Sequence, residues 1–95
     1  MTDEIMVMPE GMARLNITIE GMNGDVPDFI SYDLSDGEIK TIASESVESG
    51  YVPGIEGVTD ADFTDFVVDR FPATAGVAFN RLVLRPKTPF GTTLL

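Results

Sequence analysis

The acidic side chains carry most of the chemistry available to this sequence, because the chain contains no histidine and no cysteine. Their densest group is the segment 60–65 (DADFTD), whose spacing suggests a calcium loop. Such a loop, begun at Asp60, needs glycine at its sixth position and glutamate at its twelfth, where this chain has Asp65 and Phe71. Capping of a helix explains these acids better, and we expect no bound metal and no cofactor.

Catalysis is not expected from the remaining polar residues. A catalytic pair of carboxylates must converge in a pocket that shifts their pKa values, and so small a domain rarely offers one. A nucleophilic serine needs a neighbouring base, and the chain supplies no histidine for this role. The serines that lack such a base are Ser35, Ser44, Ser46 and Ser49. We therefore expect a protein that is not an enzyme.

The charge balance narrows the class of partner. Sixteen acids against six bases give a net charge of −10, which disfavours nucleic acid because backbone binding needs lysine and arginine. The charge fits a basic protein surface as partner, or simply an acidic surface exposed to water. The acidic N-terminus does not resemble a signal peptide, and no apolar run approaches the ~20 residues that span a bilayer. We expect a cytoplasmic location and no membrane contact.

Two alternating segments predict a β-hairpin near the N-terminus. Apolar and polar residues alternate over residues 13–20, as they do on a strand with one buried face. A second alternation follows over residues 30–34. Turn-forming residues fill most of the gap between them, and we place the turn at residues 21–25.

A helix is predicted over residues 36–49. Ser35 and Glu38 form the pattern of a capping box, in which the serine hydroxyl and the glutamate satisfy each other's backbone amides. Apolar residues then recur at helical spacing, and Gly50 stands where a left-handed residue ends a helix. This amphipathic helix is expected to lie across the hairpin.

The second half of the chain predicts a connection, a second helix and a late strand. Residues 51–58 are interrupted by proline and glycine, and Thr59 then caps a helical pattern over residues 60–71. Because part of that segment is β-prone, a strand is the alternative. Residues 77–85 follow as a strand with apolar residues on both faces, typical of a strand covered on both sides.

The predicted elements divide the chain into three parts. Residues 1–11 form a flexible N-terminal arm, residues 12–86 a single α+β domain, and residues 87–95 an extended tail. The tail follows from Pro86 and Pro89, since proline cannot continue a ladder inside a sheet.

A hairpin, a helix across it and a late strand that ends in a tail resemble the ubiquitin-like β-grasp fold. Residues 82–85 (LVLR), followed by a short tail that reaches Gly91, are similar to the end of ubiquitin-like modifiers. Phe90 stands where that family has a second glycine. The resemblance implies a protein modifier whose terminal glycine carboxylate is adenylated by an activating enzyme and transferred to an amine.

The resemblance also assigns roles to residues of the tail. It implies Gly91 as the conjugated residue, because a residue without a β-carbon passes a narrow channel most easily. Residues 92–95 become a propeptide that a peptidase removes. Arg85, Lys87 and Phe90 are the expected contacts to the partner enzymes.

Two functions follow from the sequence as hypotheses. The first is a ubiquitin-like modifier precursor of a bacterial or phage-associated conjugation system. The alternative is an acidic protein-binding module, an inhibitor or a nucleic-acid mimic, that occupies a basic partner surface. An assembly subunit whose tails pack against its neighbours is a third option.

Overall fold

The structure, a computed structural model, describes residues 9–87. This part of the chain forms β1 Met12–Ile19, β2 Met22–Asp25, β3 Ile30–Ser31, α1 Asp36–Glu48, β4 Val67–Phe71 and β5 Asn80–Arg85. The predicted α+β class is confirmed. Most of the predicted arm (1–11) and tail (87–95) lies outside the described residues, so the division into arm, domain and tail stays a prediction.

The strands form one mixed sheet in the order β2-β1-β5-β4, and β3 pairs with β1 beside β2. β1 runs antiparallel to β2 and β3 and parallel to β5, while β4 is antiparallel to β5. The first and last strands of the described chain are therefore neighbours at the centre of the sheet.

The hairpin exists, but its turn is tighter than predicted. Glu20 and Gly21 have φ angles of 51° and 79°, the left-handed conformation that a two-residue hairpin loop requires. β2 begins directly afterwards, at Met22. The prediction of a turn over residues 21–25 was therefore wrong, and the predicted second strand at 30–34 is reduced to the two residues of β3.

Cross-strand hydrogen bonds explain why the turn-forming residues of β2 are extended. Asn23 Nδ2 donates to Asn16 Oδ1 and to Thr18 Oγ1, each at 2.8 Å. Asn16 Nδ2 donates to Asp25 Oδ1 at 2.8 Å. These side-chain bonds across two strands replace the local turn contacts that asparagine and aspartate usually make.

The close approach of another backbone segment to Gly24 is a second reason why β2 is extended. A β-carbon built at Gly24 would lie 2.2 Å from the carbonyl oxygen of Pro53, and one built at Gly54 would lie 2.4 Å from that of Asn23. The connection after the helix thus packs directly on β2. It carries Val52 and Ile55 into the core, where each is 1% exposed.

The helix is confirmed with the predicted cap. Ser35 Oγ accepts from the Glu38 amide at 3.1 Å, and the Ser35 amide donates to Glu38 Oε1 at 2.9 Å. Gly50 follows the C-cap with a φ of 75°. Its amide donates to the carbonyl of Val47 at 3.0 Å, part of a Schellman-type end. The helix packs on the sheet through three buried residues, Ile39, Ala43 and Val47.

The predicted second helix over residues 60–71 was wrong. Residues 60–66 form a connection, and β4 follows at Val67. Thr59 consequently caps no helix. Phe63 is buried and meets the ring of Phe66 edge to face at 4.8 Å, so the two aromatic residues anchor the connection and do not form a helical stripe. The two β-branched residues that begin β4 favour an extended conformation, and β4 forms an edge strand of the sheet.

Arg70 on β4 fixes the segment that leads into the helix. Its Nη1 donates to the carbonyl of Tyr32 at 3.1 Å, and its Nη2 donates to the carbonyl of Leu34 at 3.0 Å. Nη2 also forms an ion pair with Asp36 Oδ1 at 2.6 Å. We call these three contacts the Arg70 clasp. It ties β4 to the segment 32–36, which lies more than 30 residues earlier in the chain.

The late strand is central, as predicted, but starts at Asn80 and is covered on one face only. Leu82 and Leu84 are 0% exposed and point to the helix side. Val83, on the opposite face, is only half-buried. The prediction of cover on both faces was wrong, because the single helix of the described chain packs on one side of the sheet.

One hydrophobic cluster lies between that face and the helix. Its members are Ala13, Leu15, Ile17, Ile19, Val26, Ile30, Ile39, Ala43, Val47, Val52, Ile55, Val58, Ala61, Phe63, Leu82 and Leu84. Within residues 9–87, none of the helical structure has the length and apolar character needed to cross a bilayer.

Candidate functional site

The predicted site residues belong to the C-terminal end of β5 and the tail beyond it. Arg85 is the last residue of the strand, and Lys87 is exposed two positions later. Gly91 and Phe90 lie outside the described residues, so the conjugation site and the aromatic tail contact stay predictions. The structure therefore describes the platform from which the tail departs.

Arg85 is engaged with the neighbouring strand. Its Nε donates to Asp69 Oδ2 of β4 at 2.5 Å, and the two side chains keep 40% and 32% of their surface exposed. Its Nη1 also donates to the carbonyl of Pro86 at 3.4 Å. The guanidinium thus fastens the end of β5 to β4 while part of it still faces solvent. A partner could contact Arg85 without first breaking this ion pair.

The strand before the tail is held on both sides. Leu82 lies opposite Leu15 of β1 and opposite Arg70 of β4. Leu84 is likewise in register with Ile17 on one side and Val68 on the other. Because β5 is paired on both sides and its leucines are buried, the chain after Arg85 starts from a rigid point. A force on the tail would therefore act on a strand that is anchored in the core and not on an edge strand.

The sheet face turned away from the helix, here called the open face, carries arginine and phenylalanine. Arg14 of β1 is in register with Arg81 of β5. The Arg14 guanidinium carbon lies 4.9 Å from the ring centroid of Phe29, and that of Arg81 lies 4.9 Å from the ring centroid of Phe71. We call these four residues the Arg–Phe row. Cation–π stacking of this kind places each charge over a ring face.

Exposed aromatic surface borders the row. Phe71 is 41% exposed and Phe79 is 39% exposed. Phe79 and the half-buried Val83 line a shallow depression of about 270 Å³ between the two arginines of the row. Asn16 and Asp25 complete its wall. The open face thus combines positive charge, aromatic rings and hydrogen-bonding groups.

The side of the molecule around the helix has the opposite charge. We call it the acidic side, and its carboxylates come from α1 and from the connection 59–66 that lies along it. They are Asp36, Glu38, Glu45, Glu48, Asp60, Asp62 and Asp65. Lys40 is on this side too, but its Nζ donates to the carbonyl of Thr64 at 3.0 Å. Carboxylates therefore outnumber cations on the acidic side, whereas the open face carries Arg14 and Arg81 beside Asp25 and Asp69.

One acid of segment 60–65, Asp62, stabilises a turn. Asp62 Oδ1 accepts from the Thr64 amide at 3.0 Å and from the Thr64 hydroxyl at 2.6 Å. The hydroxyl bond, followed by the amide bond, lowers the pKa of Asp62 from its ordinary value. Among residues 9–87, no group of three or more acidic side chains could hold a metal ion. The expectation that these acids cap a helix was wrong, since no helix begins here.

Sequence reasoning did not identify the Arg–Phe row. The sequence pattern places Arg14 on the solvent-exposed face of an alternating strand and Arg81 at the start of a strand segment. Their meeting depends on the parallel pairing of β1 with β5, which joins the two ends of the described chain. A usable signal was that only six bases occur in this acidic chain and that four of them, Arg14, Arg70, Arg81 and Arg85, lie on strands.

Comparison with known proteins identifies no relative. No protein-family model matches the chain, and neither a curated protein nor a solved structure matches it.

Proposed function

We propose that this protein is a non-enzymatic, ubiquitin-like modifier precursor of a bacterial or phage-associated system, acting in the cytoplasm. After processing, it is conjugated to target proteins through Gly91. The proposal includes a β-grasp assignment for the fold, which the strand order β2-β1-β5-β4 and the parallel pairing of β1 with β5 support. A hairpin that grips a single helix is the arrangement expected of that fold.

One observation carries the proposal: the central strand β5 ends at Arg85 and leads directly into a short tail that contains glycine. A modifier needs a rigid body for recognition and a thin terminus that can enter an enzyme's channel. The buried leucines of β5 supply the rigid anchor. Gly91 supplies a residue without a β-carbon, whose carboxylate is the least hindered once residues 92–95 are removed.

The basic residues of this end fit recognition by partner enzymes. Arg85 keeps 40% of its side chain exposed beside Asp69, and Lys87 is exposed beyond the sheet. Together with Phe90 they offer a positive and aromatic approach to the tail on an otherwise acidic molecule. The partners under this proposal are an activating enzyme and a processing peptidase.

Intact mass spectrometry tests the proposal. The full chain is incubated with ATP, a target protein and the enzymes encoded beside its gene. We expect loss of the mass of residues 92–95, followed by an adduct to the target through Gly91.

The variant Gly91→Val should abolish the adduct, whereas Gly76→Ala, at a loop position with open space around it, should not. A C-terminus that stays intact with every enzyme, and no adduct, would contradict the proposal.

The carboxylates of the acidic side support a second candidate, an acidic module that occupies a basic partner surface as an inhibitor or nucleic-acid mimic. The carboxylates of the acidic side present negative charge in one direction, as such a mimic requires. Binding should then weaken steeply between low and high salt. Replacing Glu45 and Glu48 by glutamine should weaken it further, and salt-independent binding would contradict this candidate.

A further inference from the structure

The Arg–Phe row has a feature that neither the conjugation proposal nor the acidic module uses. Arg14 and Arg81 face each other across adjacent strands with like charge. Like charges directly opposite on a sheet destabilise it unless an anion lies between them. The chain has a net charge of −10, so carboxylates are abundant as possible partners.

Neither arginine forms an ion pair within residues 9–87, although Asp25 lines the same depression. Over the same residues, ion pairs occupy Arg70, with Asp36, and Arg85, with Asp69. Arg14 and Arg81 stack on phenylalanine rings instead. Stacking holds a guanidinium in place and leaves its N–H edge able to donate hydrogen bonds.

The surroundings limit what can bind there. The depression shared by the two arginines has a volume of about 270 Å³, enough for one or two side chains and below the usual size of a small-molecule pocket. Phe71 and Phe79 are exposed beside it and can pack against apolar side chains. A ligand therefore needs one anionic group with apolar groups on either side.

An extended peptide meets these requirements better than a nucleic acid does. Asp25 and Asp69 flank the arginines on neighbouring strands and would repel a run of phosphates. A peptide strand spaces its same-side residues two apart, so it can place one carboxylate between apolar neighbours. The charge of such a peptide is confined to one residue. Salt screens the long-range repulsion between that charge and the acidic protein within about 8 Å.

We propose that the open face is a recognition site for an extended segment of a partner protein in which a glutamate or aspartate lies between apolar residues. The carboxylate bridges Arg14 and Arg81, and the apolar side chains cover Phe71 and Phe79. This inference does not depend on conjugation through the tail. A modifier and an assembly subunit could each use the face to bind a partner without covalent chemistry.

A matched pair of peptides tests the inference by amide NMR titration of the full chain. The probe is acetyl-Val-Ser-Glu-Ser-Val-amide, which places its single glutamate and both valines on one side of an extended strand, and the control carries glutamine in place of the glutamate. We expect the probe to shift resonances of Arg14, Arg81 and their neighbours. Binding of the control should be weaker by about tenfold or more, because charge-assisted bonds to guanidinium are lost.

Two variants distinguish a specific contribution of the Arg–Phe row to probe binding from the effect of the protein's net charge. Arg81→Gln should reduce probe binding about tenfold, and it should leave the fold intact because the side chain is exposed. Lys40→Gln removes the same unit of charge on the acidic side and should leave probe binding unchanged. Equal shifts with both peptides, no binding of the probe, or loss in both variants would overturn the inference.

Two further outcomes would also overturn it, in favour of another occupant. A short oligothymidine that binds more tightly than the probe, with the same dependence on Arg81, would assign the face to single-stranded nucleic acid. Shifts at the row that grow with protein concentration in the absence of peptide would assign it to a second copy of this chain.

Discussion

Substitution of Gly24 by alanine should destabilise the protein, because the backbone of the 51–58 connection lies where the new methyl group must go. The added β-carbon would be 2.2 Å from the carbonyl oxygen of Pro53 and 2.9 Å from a methyl group of Val52. Real β-carbons do not approach backbone oxygen that closely, so β2 or the connection must move. Overpacking of this kind typically costs about 1–3 kcal/mol.

Gly37→Ala provides the matched control, with the opposite sign. The same methyl group at Gly37, in the first turn of α1, would meet its nearest neighbour, Ser35 Oγ, at 4.0 Å. Both substitutions reduce the freedom of the unfolded chain by a similar amount, which alone stabilises by about 0.4–1 kcal/mol. Alanine also favours the helix over glycine, so Gly37→Ala should raise the free energy of unfolding by about 0.5 kcal/mol.

Urea unfolding followed by circular dichroism measures both effects. With a slope of about 1–2 kcal/mol per molar urea, Gly24→Ala should lower the midpoint by roughly 0.5–3 M, and Gly37→Ala should raise it slightly. The unfolded-state contribution is common to both variants, so it cannot account for a loss of stability in Gly24→Ala alone. A midpoint for Gly24→Ala equal to or above that of the unmodified protein would refute the packing of the connection on β2.

Two further predictions concern polar contacts. Arg70→Lys should lower the free energy of unfolding by about 1 kcal/mol, because an ammonium cannot reach all three partners of the Arg70 clasp and the site is partly exposed. Thermal unfolding measures the loss, and an unchanged melting temperature would mean that the clasp is not formed in solution. The Ser35 amide, followed by its hydroxyl, donates to Glu38 and lowers the pKa of that carboxyl below its ordinary value of 4.5. The stability it contributes is therefore present above the unfolded-state pKa and lost as the pH falls through the lower folded-state pKa. Glu38→Gln keeps an acceptor for the capping box, so its unfolding free energy should decline less steeply with acid in urea melts repeated from neutral to low pH. Identical pH profiles would refute this contribution.

The helix could be predicted from the sequence because its determinants are local. Ser35, Glu38 and Gly50 act within one turn of the residues that they cap, and the structure places each in that role. The alternation of β1 is equally local, since burial on one face is read along a single strand.

The tertiary contacts explain where prediction failed. The residues of β2 are turn formers, and only the amide bonds to Asn16 and the contact of Gly24 with Pro53 make them a strand. Residues 60–71 match a helical spacing by coincidence, whereas Arg70 needs β4 extended to reach the helix N-terminus. Neither fact can be read from a window of neighbouring residues.

The same distinction between local patterns and tertiary contacts applies to the candidate site. The tail and its glycine were visible as a linear pattern after a strand, although Phe90 and Gly91 lie beyond the described residues. The Arg–Phe row was not visible, because its four members come from separate segments. The pairing of β1 with β5 aligns the two arginines, and the pairing of β4 with β5 places Phe71 opposite Arg81.

The adjacency of β1 and β5 also determines when the protein can fold during its synthesis. The nascent chain makes β1 first and its central partner β5 last, so a chain that ends before Asn80 leaves one side of β1 without backbone partners. Pairing of segments so distant in sequence is slow compared with formation of a local hairpin. Until residues 80–85 have been synthesised, this unpaired side of β1 can form a sheet with another chain unless a chaperone covers it.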